Sequence, residues 1–167
     1  MALTHEQVLG RLQSAFGESI LSNSLPYGML KVEIPANKNV EVVKFLKEDP
    51  ELQFIYLTDL CGVHFPEQTG REVGVVMHMH SLVHNYRIRI VYYMPEQKTE
   101  VNTLTEVFAA ANWMERETYD FFGIRFTGHP DLRRILNVDH MEMFPLLKQY
   151  PLEDSSREDK DDRFFGR

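Results

Sequence analysis

Apolar residues recur along this chain first with a helical period and then with a strand period. Val8, Leu9, Leu12 and Phe16 fall on one helical face. Thr4 precedes them with Gln7 three residues on, the spacing of a capping box, and Gly17 supplies a stop. Leu30, Val32 and Ile34 then alternate with Lys31 and Glu33, which predicts a half-buried strand over Met29–Ile34. Ser19–Asn23 lies across the turn-forming Pro26-Tyr27-Gly28, so the two segments are expected to pair as a hairpin. Val42, Phe45 and Leu46 share a face in a second helix from about Asn39 to Lys47, closed by Pro50. Phe54–Leu60 is short, apolar and rich in large residues, and reads as a central, well-buried strand.

His64–Glu72 is polar and carries Pro66 and Gly70, hence a loop. Val73–Val83 and Tyr86–Met94 follow, joined at His84-Asn85; Arg87 and Arg89 alternate with Ile88 and Ile90, the strongest hairpin signal in the chain. Thr103 with Glu106 repeats the capping-box spacing, and Leu104, Val107, Phe108 and Ala111 give the helix it would start an apolar face. Asn112 can cap a further helix through about Phe122, with Gly123 ending it. Strands cluster early and helices frame them. The expected fold class is α+β: a mixed or antiparallel sheet of about five strands flanked by helices, with an extended C-terminal tail. The predicted division is a globular body, residues 1–137, and a partner-binding tail, residues 138–167. Met141–Leu152 holds two prolines and no clear period, and nine of the eleven residues Glu153–Arg163 are charged, too polar to fold alone. Phe144, Leu146, Leu147, Tyr150 and Phe164-Phe165 stud this segment as apolar anchors, the pattern of a partner-wrapping arm. A frayed terminus is the competing reading.

Composition narrows the function. The 167 residues are 43% hydrophobic and 26% charged, ordinary for a soluble domain. A net charge of −7 argues against non-specific nucleic-acid binding and against docking on an anionic lipid surface by charge. No stretch approaches the roughly 18 apolar residues of a membrane span, and no basic region leads into an apolar core at the N-terminus, so neither a span nor a signal peptide is expected. Cys61 is the one cysteine. It cannot close an internal disulfide, and it cannot supply the thiolates of an iron–sulfur cluster.

Chemistry is sparse. The chain has no glycine-rich phosphate loop and no GxSxG elbow. Cys61, at the end of an apolar strand, reads as an inert buried thiol. His78 and His80 are two apart, so both point to one face of a strand and could hold zinc with a third ligand. Met77 and Met79 take the other face, and no HExxH or CxxC supports such a site, so two ordinary hairpin histidines are the better reading. His129 and His140 read as surface hydrogen bonders.

The run Trp113–Leu136 is different. It packs Glu115, Arg116, Glu117, Asp120, Arg125, Asp131, Arg133 and Arg134 among Trp113, Tyr119, Phe121, Phe122 and Phe126. A solvated helix followed by a basic turn is the plain alternative. Against it, glycines and a proline separate the acidic and basic halves, and the aromatics are too many for a surface helix. Arg116 and Asp120, four apart on a helix, are placed to pair.

Glu115-Arg116-Glu117, Tyr119-Asp120, Phe122-Gly123-Ile124, Phe126, Gly128-His129-Pro130, Asp131-Leu132 and Arg133-Arg134-Ile135-Leu136 closely resemble the motif of the thirty-kilodalton-type subunit family of respiratory complex I. Further on, Pro145, Leu146, Lys148, Tyr150, Pro151 and Leu152 match the family's tail pattern, while Phe144, Leu147 and Gln149 depart from it where the family is more polar. The resemblance implies a non-redox peripheral-arm subunit of a proton-translocating NADH-quinone oxidoreductase, with no cofactor, metal or catalytic residue in this chain. FMN, iron–sulfur clusters and quinone would reside in partner subunits. It implies partners in the other complex I subunits, chiefly the quinone-site subunit and neighbouring iron–sulfur subunits, with contact to the membrane only through them. The implied place is the cytoplasmic face of a bacterial inner membrane. The expected interface is the motif together with Tyr150 and Pro151, with Arg133 and Arg134 facing carboxylates across it. Two alternatives stand beside this: the equivalent subunit of a membrane-bound hydrogenase or related quinone reductase, and a small metal-dependent enzyme using His78 and His80.

Overall fold

The computed structural model describes residues 3–151. Thr4 caps the first helix, α1 (His5–Phe16), as the sequence predicts. Its hydroxyl accepts the Gln7 N–H while the Gln7 side chain accepts the Thr4 N–H at 2.9 Å. Gly17, at φ +50°, ends the helix and returns its own N–H to Gln13 O. The hairpin β1 (Ser22–Ser24) and β2 (Leu30–Glu33) follows, antiparallel about the Pro26–Gly28 turn. α2 (Asn39–Glu48) then stops where the Asp49 N–H bonds Phe45 O, just before Pro50.

β3 (Tyr56–His64), β4 (Val73–Ser81) and β5 (Tyr86–Met94) form an antiparallel meander. β2 lies parallel beside β5, which completes a mixed five-stranded sheet in the order β1-β2-β5-β4-β3. The period-2 alternation puts Val73, Val75, Met77 and Met79 of β4 in the core, with Ile88, Ile90 and Tyr92 of β5 beside them. Val8 and Leu12 of α1 and Val42, Val43 and Leu46 of α2 belong to the same core. His78 and His80 fall on the opposite face, as their spacing requires.

The sheet order corrects one expectation. The segment around Phe54–Leu60 is the sheet's edge, not its centre, and the strand begins at Tyr56. Phe54 is buried ahead of the strand, with its N–H bonded to Leu46 O. Ile55, Tyr56, Thr58, Asp59 and Cys61 are exposed, and Leu57 and Leu60 reach the core together because the register shifts between Leu57 and Asp59. His64, expected in the following loop, is the buried last residue of the strand. Cys61 is exposed rather than buried.

β6 (Glu100–Asn102), α3 (Ala111–Phe122) and β7 (Arg125–Thr127) build the motif side of the molecule. The helix expected after Thr103 does not form. Residues 103–110 are turns in which Leu104 and Phe108 still reach the core. The Thr103 hydroxyl accepts the Thr105 N–H, two residues on, instead of capping a helix. α3 begins at Ala111, so Asn112 lies inside it and caps nothing, while Gly123 at φ +75° ends it as predicted. β6 and β7 pair in parallel, a two-stranded sheet the sequence pattern did not announce. Phe122 seats α3 on the edge strand: a Cβ added at Gly62 would collide with its ring. Of the predicted tail, residues 138–151 carry no helix or strand and lie against the body, with Leu147 buried. Residues 152–167, with the charged run and Phe164-Phe165, lie outside the described residues.

Candidate functional site

The motif folds around one carboxylate. Asp120, on the last turn of α3, is 0% exposed. Its Oδ2 accepts three successive backbone N–H groups, from Ile135, Leu136 and Asn137, at 3.0, 2.8 and 2.9 Å. Its Oδ1 accepts Arg134 Nη1 at 2.7 Å and Asn137 Nδ2 at 3.1 Å. Consecutive N–H groups converging on one oxygen make an anion nest, here filled by the chain's own side chain. Burial works against ionising this carboxyl, but the N–H groups of Asn137, Leu136 and Ile135 and the Arg134 guanidinium outweigh it and hold its pKa well below the ordinary range.

Arg134 is consumed from within. Its Nη1 also donates to Asp120 O at 2.9 Å, and its Nη2 donates to Met141 O at 2.6 Å and Met143 O at 2.9 Å. Its side chain is 7% exposed and its guanidinium stands 5.0 Å from the centre of the Phe144 ring. The expectation that Arg134 faces a carboxylate across an interface is therefore corrected: its carboxylate is Asp120 of the same chain. Arg133 points outward beside Asp131, Nε to Oδ2 3.0 Å, with both side chains exposed.

Arg116 does not pair with Asp120, the second correction. The helix turns it toward the following segment, where it donates to Arg133 O at 3.3 Å and Arg134 O at 3.2 Å and stacks 5.1 Å from the Trp113 ring centre. Thus Asp120 and Arg116 both grip residues 133–137 from the helix side, one by accepting N–H groups and one by donating to carbonyls. His129 fixes the preceding turn. Its Nδ1 accepts the Asp131 N–H at 3.0 Å, which leaves Nε2 to carry the proton donated to Asn112 O at 3.1 Å. Gly128 has φ +85°, a conformation open to glycine, and Pro130 is exposed beyond it.

Glu115 anchors the other side of α3. It is 0% exposed and accepts the Leu104 N–H at 2.6 Å and the Thr103 hydroxyl at 2.5 Å. Burial pushes its pKa up to about 7, against the opposing pull of those two donors. Glu117, further along the helix, is exposed. Tyr119 meets Phe144 edge to face at 6.0 Å, and the same Phe144 ring lies over Gly123, where an added Cβ would come within 2.7 Å. Tyr150 is half-buried, its N–H bonded to Leu147 O, and Pro151 is exposed.

The structure thus joins Glu115, Arg116, Tyr119, Asp120, Phe122, Gly123, His129 and Arg134 into one framework. It leaves Glu117, Pro130, Asp131, Arg133, Leu136 and Pro151 on the surface. Sequence reading missed the parts played by Thr103, by Asn137 and by His64, which accepts the Lys148 N–H through Nδ1 at 2.9 Å. Their partners lie 12, 17 and 84 residues away, beyond any local pattern. Trp113 (59% exposed) and Leu136 (66%) stand outside the framework as bare apolar side chains.

This arrangement holds backbone in place. Asp120 and Arg134 are saturated by each other and by main-chain groups, and Glu115 is sealed in the core. His78 is occupied by Arg89 Nε at 2.8 Å and lies 3.7 Å from Asp59, while His80 faces Asn85 at 3.3 Å. Among the described residues no three His, Cys, Asp or Glu side chains converge as a metal site. The Cys61 thiol has its pKa raised by desolvation and then by Asp59 and Glu117, the opposite of an activated nucleophile.

The chain matches the family described as respiratory-chain NADH dehydrogenase, 30 Kd subunit, over residues 32–156. It is 42% identical over 142 residues to a subunit of NADH-quinone oxidoreductase from Methylobacterium radiotolerans; the match spans 85% of this chain and 65% of that relative. Its identity to the NADH-quinone oxidoreductase subunit of the same name from Roseiflexus castenholzii is 43% over 154 residues, covering 91% and 87%. Among solved structures, the trypsin-resistant fragment (1-134) of Nqo5 superposes with a TM-score of 0.58 at 28% identity, covering 75% of this chain and 98% of the fragment. The membrane-bound sulfane sulfur reductase, an archaeal respiratory membrane complex, gives 0.73 at 19% identity over 88% of this chain and 85% of its own, a likeness of fold alone.

Proposed function

The chain belongs to the 30 Kd subunit family of respiratory-chain NADH dehydrogenase, and from that premise we propose that it serves an NADH-quinone oxidoreductase as a structural joint rather than a redox centre. One observation carries the reading: the motif's charges are spent on its own backbone. Asp120, Arg116 and Arg134 pin residues 133–137 and 141–143 to α3, and the pinned segment presents Leu136 outward, close to the guanidinium-stacked Trp113. Rigid apolar and aromatic side chains beside arginine are the composition of interface hot spots. The surface of Trp113, Arg133, Leu136 and the segment 138–151 is the face proposed to meet the quinone-site subunit, with Tyr150 and Pro151 leading the chain onward across it.

Electron carriers would sit in the partners. One cysteine cannot ligate an iron–sulfur cluster, and FMN, clusters and quinone are assigned to neighbouring subunits. No helix among the described residues is long and apolar enough to cross a membrane. Attachment at the cytoplasmic face of a bacterial inner membrane would come through those partners. The test is affinity purification of the tagged chain from solubilised membranes, with the recovered proteins identified. Stoichiometric recovery of the quinone-site subunit and an NADH-binding flavoprotein supports the assignment. Recovery of the chain alone, or with a nickel–iron hydrogenase subunit, overturns it.

A further inference from the structure

The motif surface does not account for another concentration of apolar side chains. The strand register brings three turns to one end of the five-stranded sheet. Tyr56 opposes His80, Ser81 opposes Tyr86, and Leu30 opposes Ile88. Residues 25–29, 53–55 and 82–85 therefore share that end. It carries Leu25, Ile55, Tyr56, Leu82 and Val83, each between 47% and 62% exposed, and Tyr27, which is 104% exposed. Scattered apolar side chains are ordinary on a surface, but a cluster of six at one tip is not.

The backbone holds these side chains out. Among the described residues, the non-glycine residues with positive φ are Tyr27 (+55°), Gln53 (+47°) and Asn85 (+49°), one in each of the three turns. Asparagine tolerates this conformation, whereas tyrosine and glutamine take it at an energetic disadvantage. The Tyr27 turn is nevertheless closed, with Gly28 N–H bonded to Leu25 O and Met29 N–H to Pro26 O. The Tyr27 ring thus stands fully in solvent on a hydrogen-bonded, left-handed backbone. Among the described residues, no burial of that ring offsets the conformation.

Behind the tip, the face of the sheet away from the core carries positive charge. Arg87 lies across from His80, and Lys31 across from Arg89, which is across from His78. Arg87 and Lys31 make no ion pair among the described residues, although the chain as a whole is acidic at −7. The acidic Glu6 and Glu51 near this end belong to the α1 side, where Glu51 faces Arg11 at 3.5 Å.

We propose that this end of the sheet is a second docking surface, and that its occupant is a neighbouring protein subunit offering an apolar recess bordered by carboxylates. The inference rests on the reading of the chain as a subunit of a larger enzyme. Tyrosine anchors flanked by arginine are the residues that dominate protein interfaces. Arg87 and Lys31 supply the charge that a carboxylate border would meet. An anionic bilayer would also attract cations and apolar tips, but the net charge of −7 opposes approach to it. With one surface at the motif and another at this end, the chain would bridge two partners rather than decorate one.

The test places a photo-crosslinking benzoylphenylalanine at position 27 in the assembled, detergent-extracted enzyme, with the same probe at position 136 as the motif-side control. The expected result is capture of one enzyme subunit from position 27, through a peptide containing Asp or Glu. The double substitution Lys31→Glu with Arg87→Glu should lower that capture roughly tenfold while leaving capture from position 136 unchanged. Capture of lipid alone, of a second copy of this chain, or of nothing from position 27 while position 136 captures a subunit overturns the second surface and leaves the subunit reading intact. Failure at both positions overturns both. Hydrogen exchange supplies an independent readout: slowed exchange at residues 82–85 on assembly supports the proposal, and identical exchange in the isolated chain and the enzyme refutes it.

Discussion

Replacing Asp120 with asparagine alters a single terminal atom yet removes what the motif is built around. The carboxylate accepts from five donors, two of them on side chains and three on the backbone of residues 135–137. An amide has one oxygen, so either the Arg134 side or the backbone side meets N–H groups instead of an acceptor. The larger loss is electrostatic: Arg134, 7% exposed, keeps its charge without its counter-ion. Breaking one partner out of a buried pair costs about 3–5 kcal/mol. Individual hydrogen bonds to a charged group are worth about 1.5–3 kcal/mol each, but five to one carboxylate are not additive, so the pair figure is the one to use. For a domain of this size the change corresponds to a fall of roughly 10 °C in melting temperature. Thermal denaturation of the purified chain at pH 7 measures it directly. The pH dependence provides an internal check. Asp120 has a depressed pKa, so its contribution is complete above the ordinary carboxylate value of 3.8 and is lost as pH falls toward its folded value. The gap between wild type and Asp120→Asn should therefore narrow below about pH 4. A melting temperature within about 2 °C of wild type at pH 7 would refute the reasoning, since surface substitutions without such a role stay within roughly 0.5 kcal/mol.

Glu115 predicts the opposite sign. Its folded pKa of about 7 lies above the ordinary 4.5, so the folded chain holds an extra proton and loses stability as pH rises between those values. Urea denaturation should show wild type losing about 3 kcal/mol between pH 4.5 and 8 relative to Glu115→Gln; parallel curves would show that Glu115 does not titrate in this range. Gly123→Ala forces a Cβ onto a left-handed residue and against the Phe144 ring. It should destabilise the chain by about 1–3 kcal/mol and speed hydrogen exchange at Leu146, whose N–H bonds Phe121 O; unchanged exchange there would remove Phe144 from the account. Gly62→Ala drives into Phe122 and should cost a similar roughly 1–3 kcal/mol by the same overpacking, read by the same melt, with no loss expected if α3 can slide away from β3.

What the sequence revealed divides by the range of the interaction. The Thr4–Gln7 capping box, the Gly17 and Gly123 stops and the β4–β5 hairpin are local and formed as predicted. Thr103 with Glu106 carried the same local signal and failed, because the Glu115 carboxylate arrives from 11 residues away to take the Leu104 N–H. Arg116 and Asp120 had ideal helical spacing, yet each found backbone partners beyond the helix that bind it more completely than they could bind each other. The edge position of β3 was illegible since an apolar run records burial, not place in the sheet order, and here half of that run faces outward. β6 and β7 do show alternation, Val101 and Phe126 buried between polar neighbours, but three residues each are too few to stand out. The motif itself was fully visible as a concentration of charge and aromatics. That its charges turn inward to the chain's own backbone could be learned only from the fold.

The central claim is that the motif is a joint and not a reaction centre, and Leu136 tests it most directly. Leu136 is 66% exposed and only its backbone N–H serves the Asp120 nest. Leu136→Asp should leave the melting temperature of the purified chain unchanged while the chain is lost from the enzyme purified out of solubilised membranes, and quinone reductase activity falls with it. Full incorporation of the variant with undiminished activity would contradict the account.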